Sequence, residues 1–210
     1  MQVSYAVSLQ DPLQFLEPDP MNQPFGMHRI SYHMNAGGDI DYRNVIDIGR
    51  ILAGYDARTT IMLRNIPNKL GMFDLVRLLN SVSPGHFDFA YLRVDFQNQC
   101  NVGYAFINFD TPADIVLFCL EVVGHRWNMF NSEKVAMICY ATIQGKGALI
   151  DRFRNSGVMA QWAPFRAQLF YTEADNVADW MQGENAPFPP PNNQGRVSSD
   201  SDFFINLIDF

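Results

Sequence analysis

The chain has 210 residues, is 48% hydrophobic and carries a net charge of −7. That content predicts a folded core, and the length fits one domain with tails or two small domains. No apolar run approaches the ~20 residues of a membrane span, and the N-terminus lacks the basic-then-apolar pattern of a signal peptide. An intracellular protein is expected, in the nucleus, the cytoplasm or both. Cys100, Cys119 and Cys139 show no metal-ligand spacing and the four histidines are scattered. Free thiols are therefore expected, with no metal and no cofactor. The acidity is uneven. Residues 57–172 hold 11 Lys and Arg against 8 Asp and Glu, whereas residues 1–56 carry −4 and residues 173–210 carry −6. A mildly basic middle between acidic ends suits an anionic partner with a modest electrostatic contribution.

In chain order, residues 1–40 show no persistent period and contain Glu17-Pro18-Asp19-Pro20 and Gly37-Gly38. A mostly disordered N-terminal segment is expected. Residues 41–57 carry Val45, Ile46, Ile48, Ile51 and Leu52 at roughly helical spacing, which predicts a short helix or packed arm. Thr59 to Ile66 reads as a strand, with Ile61 and Leu63 on one face and Met62 and Arg64 on the other, ended by Pro67. A helix from about Met72 to Asn80 follows, with Phe73, Leu75, Val76, Leu78 and Leu79 on its apolar side. Phe87 to Asp95 is a second strand, with Phe89, Tyr91 and Arg93 sharing a face. Val102 to Phe109 is a third, with Tyr104, Phe106 and Asn108 on one face. Thr111-Pro112 with Asp114 starts a second helix, whose stripe is Ile115, Val116, Cys119, Leu120 and Val123. Lys134 to Ala141 is the fourth strand, with Met137 and Cys139 facing one way.

Strand, helix, strand, strand, helix, strand over residues 58–142 is the split βαβ arrangement. It predicts an α+β fold: a four-stranded antiparallel sheet with two helices on one face and the other face open. Residues 143–172 hold a third helix near Gly147 to Asn155 and an apolar run containing Trp162, Phe165, Leu169 and Phe170. They are expected to form an extension packed on the domain, its helix lying over the fourth-strand side through Leu149, Ile150 and Phe153. Residues 173–210 are acidic and proline-rich, and a mainly disordered tail is expected.

The stretch Val102-Gly103-Tyr104-Ala105-Phe106-Ile107-Asn108-Phe109 resembles the third-strand signature of an RNA-recognition motif, or RRM, whose aromatics stack on bases. The other reading is a strand buried on both faces. Longer blocks sharpen the resemblance. Arg58 to Lys69, Asp88 to Phe96, Asn101 to Phe109, Ile143-Gln144-Gly145-Lys146 and Phe153-Arg154-Asn155-Ser156 are similar to the C-terminal RRM of the meiosis-regulating RNA-binding proteins of fungi and their plant relatives. Members of that family are usually longer, with further RRMs upstream. The chain departs from ordinary RRMs at Val102, where Lys or Arg is usual, and at Met62, where an aromatic is usual. Gly71 stands where this family tends to have a hydroxyl cap.

The resemblance implies a single-stranded RNA partner and regulation of meiosis or differentiation. Tyr104 and Phe106 are expected to stack on bases, with Met62 and Tyr91 as contacts on the same face. Arg64 and Arg93 are expected at phosphates or base edges, Asn108 at a base edge, and Lys69 as a flanking charge. The alternative is an RRM that captures a peptide or partner domain. An enzyme is not expected: no phosphate-cradling glycine loop, metal cluster or nucleophile–base pair is legible.

Overall fold

The computed structural model describes residues 16–18 and 42–192. The expectation for residues 1–40 lies outside these, apart from a short strand β1 (Leu16–Pro18) that pairs with β5 (His125–Trp127). The predicted arm is a 3-10 turn at Tyr42–Asn44 followed by α1 (Ile48–Leu52). The predicted order follows as β2 (Thr60–Arg64), α2 (Met72–Val82), β3 (Phe87–Asp95), β4 (Cys100–Phe109), α3 (Pro112–Val122) and β6 (Met137–Tyr140). Both long helices start as their sequences require. Thr111 accepts from the Asp114 backbone N–H, and the Asp114 carboxylate accepts from Thr111 in return. At α2 the cap is Gly71, so only the Asp74 half of that exchange involves a side chain.

The alternating strands bury Ile61, Leu63, Ala90, Leu92, Ala105, Ile107, Phe109, Ala136 and Ile138 against α2 and α3. Two residues assigned to the helix stripes are instead exposed. Phe73 stands out with the Arg77 guanidinium 5.7 Å from its ring centre, and Leu120 points away from the sheet. Each is flanked in sequence by better-placed residues: Met72 and Leu75 fill the core beside Phe73, and Phe118 and Val122 fill it beside Leu120.

Gly103 sits at a bulge in the strand. Between the pairs Leu92↔Ala105 and Val94↔Asn101 the register shifts, and β4 carries the extra residues. Gly103 takes φ +99°, a conformation side chains disfavour. The buried Asn101 holds this bulge. Its carbonyl accepts from Gly103 N–H at 2.8 Å, and its amide donates to the Pro67 and Leu70 carbonyls at 2.6 and 2.9 Å.

Among the described residues the sheet has six strands, in the order β6-β2-β4-β3-β7-β8, where β7 is Gln168–Phe170 and β8 is Asn185–Ala186. This order fixes the two ends of the extension. It leaves β6 at one edge of the four-stranded sheet and pairs as β7 along β3 at the other. Of the two faces it could pass over, it crosses the one that was expected to be open. It does so through α4 (Lys146–Phe153) and two 3-10 turns, Gly157–Ala160 and Ala163–Phe165.

The crossing starts from a polar clamp. Gln144 accepts from the Thr59 and Thr60 N–H groups and donates to the Thr60 and Ala141 carbonyls. Residues 173–192, expected to be disordered, pack instead: β8 extends the sheet, and Arg154 grips the Pro190 carbonyl at 2.9 and 3.1 Å.

Candidate nucleic-acid interface

The extension builds a second core on the sheet face. Leu149, Phe153, Val158, Ala167 and Leu169 cover Met62, Phe89, Tyr91, Phe106 and Cys139. Phe153 is the wedge: its ring centre lies 5.3 Å from Phe89 and 4.8 Å, edge-on, from Tyr91. It therefore sits over β3, at the far side of the sheet from the β6 side where α4 was expected. Three of the expected RNA contacts are thereby enclosed. Phe106 and Tyr91 are wholly buried and Met62 nearly so. None has a free face for a base, because the apolar surface that made them attractive as ligand contacts is satisfied from within the chain.

Asn108 is also committed internally. Its carbonyl accepts from the Thr59 hydroxyl at 2.9 Å and the Thr60 hydroxyl at 2.7 Å, and its amide donates to Asp88 at 2.8 Å. Residue 108 is buried, and these bonds turn it away from solvent as a structural node.

What stays accessible is one end of the sheet. Across it run Met137, Arg64 and Tyr104, paired in register through β6, β2 and β4, with Arg93 on β3 beside them. Met137 is 37% exposed, and Arg64, Arg93 and Tyr104 are half-buried. Tyr104 stands edge-on against Phe106 at 5.8 Å, so the buried ring acts as its footing. Arg93 donates to the Tyr104 hydroxyl, its guanidinium 5.7 Å from the ring centre. Burial pushes the Tyr104 hydroxyl above its ordinary pKa, and the Arg93 bond opposes this. The phenol is thus neutral near pH 7 and keeps a proton to donate. Lys69 is exposed just past β2, next to Asn68, whose side chain accepts from Lys134 at 2.6 Å. Arg64, Lys69, Arg93 and Lys134 outnumber Asp95, which lies beside Arg93, and make this end cationic.

The opposite end is acidic. A hollow of about 660 Å³ there is lined by Asp88, Asp110, Asp114, Glu173, His86 and Lys146 among others. Burial raises the Asp88 pKa to about 6, against the Asn108 bond and Lys146, 3.9 Å away. Burial raises Asp110 too, and the Asp114 charge adds to it. The two ends of the sheet thus differ in the sign of their charge.

The polar blocks that carried the family resemblance mostly work inside the fold, as Gln144, Asn101 and Asn108 do. Residues 58–154 match the family described as RNA recognition motif 2. The chain is 47% identical over 154 residues to meiosis protein mei2 of Schizosaccharomyces pombe, covering 73% of this chain and 20% of that protein. The domain is a Mei2-like RNA recognition motif.

Plant proteins agree. Protein MEI2-like 1 of Arabidopsis thaliana is 47% identical over 166 residues, 79% of this chain and 18% of its own length. Protein MEI2-like 4 of the same plant is 46% identical over 148 residues, 70% and 16%. The chain thus spans about a fifth or less of these relatives. Among solved structures, the Sex-lethal RNA recognition domains 1 and 2 from Drosophila melanogaster share 19% identity at a TM-score of 0.30, over 39% of this chain and 48% of that one.

Within this Mei2-like domain, sequence reasoning missed two things. One is Phe153 as the cover of β3, though an aromatic closing an amphipathic helix was a signal. The other is Lys134, whose Nζ donates to the Ile66 carbonyl at 2.8 Å and adds charge beside Lys69.

Proposed function

We propose that the domain is a single-stranded RNA-binding module of a post-transcriptional regulator of meiosis or differentiation, acting in the nucleus, the cytoplasm or both. It binds at the open, cationic end of the sheet rather than across the whole face. The observation that carries this reading is the row Arg64, Tyr104 and Arg93. It is the part of the signature face that the extension leaves accessible, and it combines an aromatic ring with two guanidinium groups. A base stacks on the outer face of Tyr104, which Phe106 braces from behind. Arg64 and Arg93 meet the flanking phosphates, Lys69 adds charge, and the Tyr104 hydroxyl donates to a base or phosphate oxygen.

Tyr104→Ala tests the reading in fluorescence anisotropy with a labelled random-sequence RNA pool. Affinity is expected to fall by about 1–3 kcal/mol with the circular dichroism spectrum unchanged. With about three phosphate contacts the logarithmic salt slope is expected near −2. Equal binding by variant and wild type would refute it.

A second reading, capture of a protein partner, is favoured by one observation on the other side of the molecule. Leu52 and Tyr55 at the end of α1, and Leu117 and Leu120 on the adjoining α3, are all well exposed. Binding there would show little salt dependence and would ignore Tyr104→Ala.

A further inference from the structure

Trp162 is 70% exposed, although the run around it is folded tightly. It stands between the two 3-10 turns of the extension. Phe165 N–H donates to the Trp162 carbonyl at 2.8 Å, Arg166 N–H to the Ala163 carbonyl at 3.2 Å, and Arg166 Nε to the Gln161 carbonyl. The Trp162 ring meets Phe165 edge-on at 5.7 Å, and Phe165 tilts against Phe96 at 6.1 Å. Phe96 directly follows β3 and lies three residues beyond Arg93, about 10 Å along an extended chain. An aromatic series therefore leaves the sheet beside Arg93 and climbs onto the extension. Its outermost ring belongs to neither core, and the exposed Arg166 lies close by in the same turn.

We propose that Trp162, with Phe165 and Arg166, is a second stacking station for the same single-stranded RNA. The strand would leave the sheet at Arg93 and pass over Phe96 to the extension. This rests on the RNA reading of the Tyr104 row. The enclosed sheet face removes the usual stacking positions at Phe106 and Met62, and the segment that encloses them offers a ring in exchange. Aromatic rings interspersed with arginines (Tyr104, Arg93, Phe96, Phe165, Arg166, Trp162) suit a ligand that combines bases with phosphates. Arg93 and Arg166 stand at the two ends of this path with Asp95 between them, so the positive charges outnumber the negative one and favour an anionic occupant over an apolar peptide. The hydrogen-bonded turns hold Trp162 in place before binding, so little ordering is left to do.

The fluorescence of Trp162 itself reports the contact. Trp127 is buried, and Trp180→Phe removes the other exposed indole. In that background, saturation with a random-sequence RNA of about 12 nucleotides is expected to quench most of the solvent-exposed emission. Trp162→Ala is expected to weaken anisotropy-measured binding by about 5- to 150-fold, and Trp162→Phe to keep most of the affinity. If RNA binds with a Tyr104-dependent affinity but Trp162 emission is unchanged and Trp162→Ala binds like wild type, the second station is refuted and the sheet site stands. If neither Tyr104→Ala nor Trp162→Ala alters binding, the RNA reading and the station fail together.

Discussion

Replacing Phe153 by alanine tests whether the extension is structural. The ring is wholly buried between Phe89 and Tyr91, with centre distances of 5.3 and 4.8 Å. Phe→Ala at such a site removes the transfer free energy of the ring and leaves a cavity, together about 3–5 kcal/mol. The two aromatic contacts sit within that total, each about 0.5–1.5 kcal/mol. Domains of this kind are stable by about 5–15 kcal/mol, so the variant remains folded but close to the margin. With a urea slope of about 2 kcal/mol/M, a loss of 4 kcal/mol moves the midpoint down by about 2 M at an unchanged slope. Asp151→Ala, on the exposed side of the same helix, is the control and is expected within about 0.5 kcal/mol of wild type. A loss below about 1 kcal/mol for Phe153→Ala would mean that the ring is not seated on β3 and that the sheet face is free.

Further outcomes follow from the same geometry. Asn108→Leu strips the Thr59 and Thr60 hydroxyls and Asp88 of a shared partner, and is expected to cost about 1–3 kcal/mol in chemical denaturation. Its effect on RNA affinity should vanish once the folded fraction is accounted for. Asp88 is a pH reporter. Its folded pKa of about 6 lies above the ordinary 3.8, so the folded state holds the extra proton, and the contribution present below about pH 4 is lost as pH rises to 6. Asp88→Asn should therefore gain on wild type across that window, by up to about 3 kcal/mol, in melts run at several pH values. A constant difference between the two proteins would contradict the assignment.

The element order was legible because periods of two and 3.6 are local properties. Tyr104, Phe106 and Asn108 do share a face, as their spacing requires. Exposure of that face was not legible. Alternation tells that both sides of a strand are occupied, not by what, and the cover for Phe106 comes from Leu149 to Leu169, more than 40 residues on. The alternative of a strand buried on both faces describes Phe106, while the stacking expectation keeps its place only for Tyr104, four strand-steps from the clamp at Gln144. Asn108 misled for a related reason. An amide in a signature strand looks the same whether it faces a base or two threonine hydroxyls, and the partners Thr59 and Thr60 lie on another strand. The bulge at Gly103 left a trace, a glycine inside a strand, whose meaning depends on the register with β3.

The pairing of β7 and β8 also bears on the edge of the sheet. The family match ends at residue 154, before β7 begins. A chain cut there would bare the outer N–H and C=O groups of β3 that Gln168 and Leu169 now pair, and would take Phe170 from its contact with Phe87 at 4.8 Å. An uncovered strand edge beside apolar surface recruits other strands, including those of identical chains. Residues 155–192 thus cover the β3 edge and leave the two-residue β8 as the outer strand, so the long exposed ladder of the matched segment becomes a short one.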